Sequence, residues 1–78
     1  MATHFPKEST WHSPRGPILV CRDLTGRFLL YTEEEWESAI PADLEADDEG
    51  HVMQNGHYVD YDDPDWVIPP EVLDNALD

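Results

Sequence analysis

The sequence predicts a small α+β domain, in which two antiparallel hairpins form a sheet accompanied by one or two short helices. One hairpin is indicated by an Asp-Leu-Thr-Gly turn between two apolar runs, and the other by an Asn-Gly pair between alternating segments. A capping box and a Pro-Pro pair mark the two helix starts. A chain of 78 residues is sufficient for one domain. We expect that domain over residues 18–78, preceded by an irregular N-terminal arm over residues 1–17.

The arm is predicted from its composition. Residues 1–17 contain three prolines and one glycine among Ser, Thr and His, and such segments at chain ends are poorly ordered unless side chains attach them to the core. Phe5 and Trp11 are the side chains expected to do so. The first hairpin follows, with residues 18–22 and 27–31 as its strands.

The first helix is predicted to begin at a capping box, in which Thr32 is the N-cap and Glu35 the third helical residue. Trp36, Ala39 and Ile40 are spaced i, i+3 and i+4, which predicts an apolar stripe packed on the core. The proline that follows limits the helix. Residues 41–50 are dense in carboxylates, so we expect an exposed loop or a second helical turn there.

The second hairpin is predicted over residues 51–61, around Asn-Gly. Alternation along its second strand places Val59 and Tyr61 on one face, and Tyr58 and Asp60 on the other. A brief apolar run after this hairpin is a possible edge strand, and the Pro-Pro pair opens a last helix with an apolar side.

The charge distribution is one-sided. The chain has 18 acidic and 4 basic residues, for a net charge of −14, and residues 28–78 contain no Lys or Arg. Repulsion among these charges destabilises the compact state, and it disfavours direct binding of nucleic acid. The segment over residues 60–66 concentrates the pattern, with four carboxylates and two large aromatic side chains. Solubility is the alternative explanation for so many acidic residues.

Metal and catalytic chemistry are not indicated. An EF-hand that began at Asp60 would have Pro64 at a ligand position and Asp65 where glycine is needed. Two histidines flank the Asn-Gly turn, but the single Cys21 leaves too few zinc ligands outside the N-terminal arm. There is no Gly-rich phosphate loop and no nucleophile motif. We expect neither a cofactor nor an enzymatic activity.

The cellular location is predicted from two features. A single cysteine permits no internal disulfide, which fits a reducing compartment. No apolar run approaches the roughly 18 residues of a membrane span, and no signal peptide is visible. We expect a cytoplasmic protein that does not bind a membrane.

The acidic surface is therefore the candidate binding site. Alternate residues of a strand lie about 6.7 Å apart, so Asp60 and Asp62 would present charges at a spacing similar to that of adjacent phosphates. Aromatic side chains among the acids would supply affinity that isolated surface charges do not. The predicted partner-binding residues are Asp60, Asp62, Asp63, Asp65, Trp66, Tyr58, Tyr61, Glu33, Glu34, Glu37, Asp47 and Asp48.

Between Glu33 and Asp65 the chain resembles, in charge pattern and size, the DNA-mimic inhibitors of phages and mobile elements. Those proteins block restriction enzymes, CRISPR surveillance complexes or repair glycosylases. The resemblance implies a small anti-CRISPR or anti-restriction type of inhibitor that blocks the nucleic-acid-binding site of a basic partner, such as a nuclease or CRISPR effector. It rests on charge and size, so it transfers no residue roles. The alternative is an adaptor or immunity-type protein with Trp11, Trp66 or the histidine-bearing hairpin as its anchor.

Overall fold

The computed structural model describes residues 5–77, which form an antiparallel sheet of six strands accompanied by two short helices. Each strand pairs with the next one along the chain. The α+β class predicted from the sequence is confirmed, although the sheet has more strands than two hairpins provide. The strands are β1 (Thr10–Ser13), β2 (Gly16–Arg22), β3 (Phe28–Thr32), β4 (Leu44–Ala46), β5 (Val52–Gln54) and β6 (His57–Tyr58), and the helices are α1 (Glu33–Glu37) and α2 (Pro70–Asp74).

One face of the sheet carries the core. Val20 lies opposite Leu30, and Leu30 lies opposite Leu44, so alternate residues of neighbouring strands line the same side. Ile68 and Leu73, which follow the sheet in sequence, complete the core on that side. No helix among residues 5–77 has the length and hydrophobicity that a membrane crossing requires.

The predicted irregular arm is wrong over residues 10–13, which form β1. Gly16, at a φ of +99°, permits the tight turn into β2, and Trp11 pairs with Ile18 and is only 5% exposed. Burial of that indole outweighs the turn-rich composition around it. A 3₁₀ turn at Lys7–Ser9 precedes β1, and Ser9 Oγ donates a hydrogen bond to the Asn75 carbonyl at 2.7 Å. Residues 1–4 of the predicted arm lie outside the described residues.

The two ends of the described chain meet beside β2. Leu77 forms a parallel bridge with Cys21, and Leu77 N–H donates to the Val20 carbonyl at 3.1 Å. β1 pairs with β2 only as far as Leu19, so the bridge to Leu77 satisfies backbone groups of β2 that β1 does not reach. Burial raises the pKa of the Cys21 thiol, which therefore stays protonated at neutral pH.

The capping box of α1 is present as predicted. Thr32 Oγ1 accepts the Glu35 N–H at 3.2 Å, and Glu35 Oε1 accepts the Thr32 N–H at 2.9 Å. The predicted packed stripe is wrong, because Trp36 and Ile40 are 47% and 46% exposed. The helix ends at Glu37, three residues earlier than the spacing implied.

Residues 44–46 form β4 instead of the expected loop or helical turn. Leu44 and Ala46 are buried, while Glu45 between them faces the other side of the sheet. The alternating pattern is only three residues long and is surrounded by carboxylates, so it is weak in the sequence. Hydrogen bonding to strands on both sides, β3 and β5, stabilises it.

Candidate functional site

The acidic segment over residues 60–66 is a loop that interrupts the edge strand of the sheet. In β6, Tyr58 lies opposite Met53, and Val59 N–H then donates to the Val52 carbonyl at 3.0 Å. Along the same strand edge, the residue opposite His51 is Val67, which forms an isolated antiparallel bridge with it. Ile68 N–H continues the line by donating to the Gly50 carbonyl at 2.9 Å. Residues 60–66, the acidic loop, are therefore an insertion whose ends are held by one strand, as in an Ω-loop.

The acidic loop is stabilised by its own hydrogen bonds. Asp63 N–H donates to the Asp60 carbonyl at 3.2 Å, and Asp63 Oδ1 accepts the Asp65 N–H at 2.9 Å. A 3₁₀ turn at Pro64–Trp66 closes the loop. The predicted strand geometry for Asp60 and Asp62 is therefore wrong, because the pairing ends before them and the chain turns away. A regular phosphate-like spacing along a strand does not exist here.

Three aromatic rings pack together beside the acidic loop. His51 and Tyr61 stack with their centroids 4.1 Å apart and their planes at 14°. Tyr58 packs edge-on against Tyr61 at 4.9 Å. The two tyrosines, predicted to lie on opposite faces, are in contact because the chain leaves the sheet between them. They remain 44% and 50% exposed, so they form an accessible aromatic surface among carboxylates.

Asp47 connects this aromatic cluster to the turn between β4 and β5. Its Oδ2 accepts the Tyr58 hydroxyl at 2.9 Å, and its Oδ1 accepts the backbone N–H groups of Glu49 and His51 at 3.0 and 2.9 Å. Partial burial raises the pKa of Asp47, but these hydrogen bonds outweigh it and leave the pKa below its ordinary value. The hydrogen bond to Asp47 raises the pKa of Tyr58. Asp47 is thus ionised, and it fixes the position of Tyr58.

The carboxylates of this region are not neutralised by basic side chains. Within residues 5–77, one ion pair forms, between Arg27 and Glu45 at 3.6 Å. Asp48, Asp60 and Asp62 make no hydrogen bond through their side chains within the described range. We define the acidic surface as residues 47–49, Tyr58 and residues 60–63. The carboxylates of Asp48, Asp60 and Asp62 are therefore available to accept hydrogen bonds from lysine or arginine side chains.

The structure does not bring every predicted partner-binding residue to this surface. β4 runs from Leu44, opposite Leu30, to Ala46, opposite Phe28, and the turn that carries Asp47 and Asp48 follows Ala46. Helix α1 follows the other end of β3. Its glutamates Glu33, Glu34 and Glu37 therefore lie at the opposite end of the sheet from the acidic surface.

Trp66 is also placed differently from the free tyrosines. It is half-buried, and its ring packs edge-on against Trp11 with the centroids 6.3 Å apart. The Arg15 guanidinium lies over the same ring, 5.2 Å from its centroid. Trp66 thus holds the end of the acidic loop against the core. Asp65, its neighbour, is exposed in the same 3₁₀ turn.

Sequence analysis missed two contributors to this surface. The sequence indicates His51 only as one of two histidines beside the Asn-Gly turn, yet Tyr61 stacks on its ring, and its buried Nδ1 has no hydrogen-bond partner within the described residues. Glu49 belongs to the same turn as Asp47. An Asp three residues before Gly50 is typical of a β-turn. This signal could have placed Glu49 and His51 together at the start of the hairpin.

Comparison with known proteins gives no match: no family model, no curated protein and no solved structure is significantly similar to this chain. Residues 5–77 also contain no group of three or more His, Cys, Asp or Glu side chains arranged to hold a metal ion. The acidic surface therefore presents carboxylate acceptors around two exposed tyrosine rings.

Proposed function

We propose that this protein is a small acidic inhibitor that occupies the nucleic-acid-binding groove of a basic protein partner, in the manner of an anti-restriction or anti-CRISPR protein. The observation that carries the proposal is the acidic surface, where unpaired carboxylates from two separate segments surround the Tyr58–Tyr61 pair. The partner class is a nuclease or CRISPR effector, whose lysines and arginines normally bind phosphates.

The mechanism follows from the chemistry of such grooves. Proteins that bind single strands combine a positively charged groove with aromatic side chains on which bases stack. The acidic surface offers carboxylates in place of phosphates and exposed tyrosine rings in place of bases. Neutralising several charges at once releases counterions, so binding weakens steeply as salt rises. The irregular path of the acidic loop means that the mimicry is one of charge and stacking, without a regular phosphate spacing.

The adaptor alternative would use Trp11, Trp66 or the histidine-bearing hairpin as its anchor. Trp11 is buried in the core, and the half-buried Trp66 ring packs against it, which disfavours both rings as anchors. The histidine-bearing hairpin remains accessible, but its His51 ring is covered by Tyr61. These placements support the inhibitor proposal over the adaptor.

The test compares two variants with equal loss of charge. The first replaces Asp48, Asp60 and Asp62 with Asn, and the matched control replaces Glu33, Glu34 and Glu37 with Gln. None of these side chains accepts a hydrogen bond from another described residue. Each tagged protein is incubated with lysate of the source organism, and bound proteins are eluted first with duplex or single-stranded DNA and then with salt.

The proposal expects one captured nucleic-acid-binding protein that DNA releases. The aspartate variant should lose that protein, and the glutamate control should retain it. If the purified partner binds DNA and the inhibitor simultaneously, the mimic mechanism is wrong and the adaptor is favoured. If the aspartate variant captured the same protein as well as the wild type does, the acidic surface would not be the binding site.

A further inference from the structure

An open apolar cleft lies at the end of the sheet opposite the acidic surface. It is lined by Tyr31, Glu35, Trp36, Ala39, Ile40 and Pro41 and has a volume of about 490 Å³. Trp36 packs edge-on against Tyr31 with the ring centroids 5.5 Å apart. Roughly half of the Trp36 and Ile40 surfaces is exposed. Large apolar side chains grouped on a surface in this way are typical of an interaction site.

A hydrogen-bonded backbone turn after α1 fixes the shape of the cleft. After α1, Ala39 N–H donates to the Trp36 carbonyl at 3.4 Å, and Ile40 N–H donates to the Glu35 carbonyl at 2.9 Å. This is a Schellman motif, in which the residue at the position of Ala39 takes a left-handed conformation and is usually glycine. Ala39 adopts a φ of 55°, at a cost of about 1–2 kcal/mol for an L-residue. The motif directs Ile40 back alongside Trp36.

The helix that carries Trp36 is negatively charged. Glu33, Glu34 and Glu37 belong to the same helix as Trp36, and they have neither an ion pair nor a side-chain hydrogen bond within residues 5–77. Glu35 differs, because its carboxylate accepts the backbone N–H groups of Thr32 and Asp43 at 2.9 and 3.1 Å. Three carboxylates on the helix that carries Trp36 therefore remain available to a ligand.

We propose that this cleft, the Trp36 cleft, binds a basic amphipathic peptide segment of a protein partner, with apolar side chains in the cleft and lysines or arginines against the glutamates. A second copy of this chain is disfavoured as occupant, because each copy carries a net charge of −14. An anionic membrane surface is disfavoured for the same reason. The site is separate from the acidic surface and does not depend on the function proposed above.

The probes are three synthetic peptides of equal length. The first consists of leucine and lysine with its leucines on one helix face, the second has serine in place of leucine, and the third has glutamate in place of lysine. Binding is measured by calorimetry and by the shift of the Trp36 indole N–H signal in ¹H–¹⁵N spectra. We expect only the leucine–lysine peptide to shift that signal and to bind tightly.

Matched variants locate the binding. Trp36→Ala should weaken the leucine–lysine peptide about tenfold or more, and Ile40→Ser should weaken it in the same direction. Leu24→Ser is the control, since Leu24 is a fully exposed apolar side chain in the turn between β2 and β3. The Glu33, Glu34 and Glu37 triple variant should weaken the binding of this peptide.

Several results would overturn the cleft assignment. Binding of the serine–lysine peptide as tightly as the leucine–lysine peptide would leave charge alone as the cause. Unchanged affinity in both Trp36→Ala and Ile40→Ser would place the peptide elsewhere. Self-association that Trp36→Ala abolishes, measured by sedimentation, would identify a second copy as the occupant. None of these results affects DNA-sensitive capture through the acidic surface, so the two proposals fail independently.

Discussion

The two ends of the sheet both expose aromatic side chains, but they hold them by different means. At the acidic surface, Tyr58 is fixed by a hydrogen bond to Asp47, and Tyr61 is fixed by stacking on His51. In the Trp36 cleft, the exposed groups are apolar, and the backbone turn after α1 positions them. Burial is therefore not needed to order a surface aromatic ring, since polar contacts or a cap can do so. We expect the two ends to respond differently to substitution.

The largest effect is expected at Gly50, whose carbonyl accepts the Ile68 N–H at the point where the chain returns from the acidic loop. Gly50 has a φ of +89°, and a Cβ added there would lie 2.7 Å from the Ile68 carbonyl oxygen. Gly50→Ala should therefore lower the free energy of unfolding by about 3 kcal/mol, from backbone strain and overlap with backbone atoms. Urea denaturation monitored by tryptophan fluorescence measures the loss.

Gly56→Ala is the matched control for this prediction. Gly56 also has a positive φ, +80°, but a Cβ there would meet no atom within 4 Å. Its substitution should cost only the conformational term, about 1 kcal/mol. Similar losses in the two variants would mean that the contact with Ile68 does not constrain the return of the loop.

The next effect separates two tryptophans, one packed against the core and one beside the cleft. Trp66 is packed against Trp11, so Trp66→Ala should destabilise the fold by about 2–3 kcal/mol. Trp36 is half-exposed, so Trp36→Ala should cost about 1 kcal/mol or less. Thermal and urea unfolding of both variants provide the comparison. If Trp36→Ala were the more damaging change, the cleft would be part of the core and not a free surface.

The smallest effect is the part of the pH dependence of stability that the Asp47–Tyr58 hydrogen bond contributes. The pKa of Asp47 is lowered in the folded state, so its stabilising contribution is present above the unfolded value of about 3.9 and is lost as pH falls through the folded pKa. The pKa of Tyr58 is raised, so its contribution is present below about 10 and is lost as pH rises through the folded pKa. Tyr58→Phe should weaken both dependences, which unfolding free energies across pH and tyrosine absorbance titration measure.

Tyr61→Phe serves as the control for that experiment. The Tyr61 hydroxyl makes no hydrogen bond to another side chain of the described chain, while its ring stacks on His51. The substitution keeps the ring, so the acid and alkaline limbs of the stability profile should match the wild type. Equal changes in the two variants would show that the Asp47 hydrogen bond is not their source.

Local signals in the sequence predicted local structure well. The capping box at Thr32 and Glu35 and the Asn-Gly turn both use groups within a few residues of one another, so their geometry follows from the chain itself. The same kind of reasoning failed for Trp36 and Ile40. Their helical spacing predicts burial only if α1 continues, and the backbone turn at Ala39 ends it first.

The sequence by itself determined the α+β class, the turn positions and the concentration of carboxylates after residue 28. The tertiary structure alone decided which carboxylates share a surface. Pairing of Val67 with His51 places residues 60–66 outside the sheet as a loop, and pairing of β3 with β4 separates the α1 glutamates from Asp47. The physical reason is that these contacts join residues distant in sequence. Their register depends on the packing that buries Ile68 and Leu44 in one core.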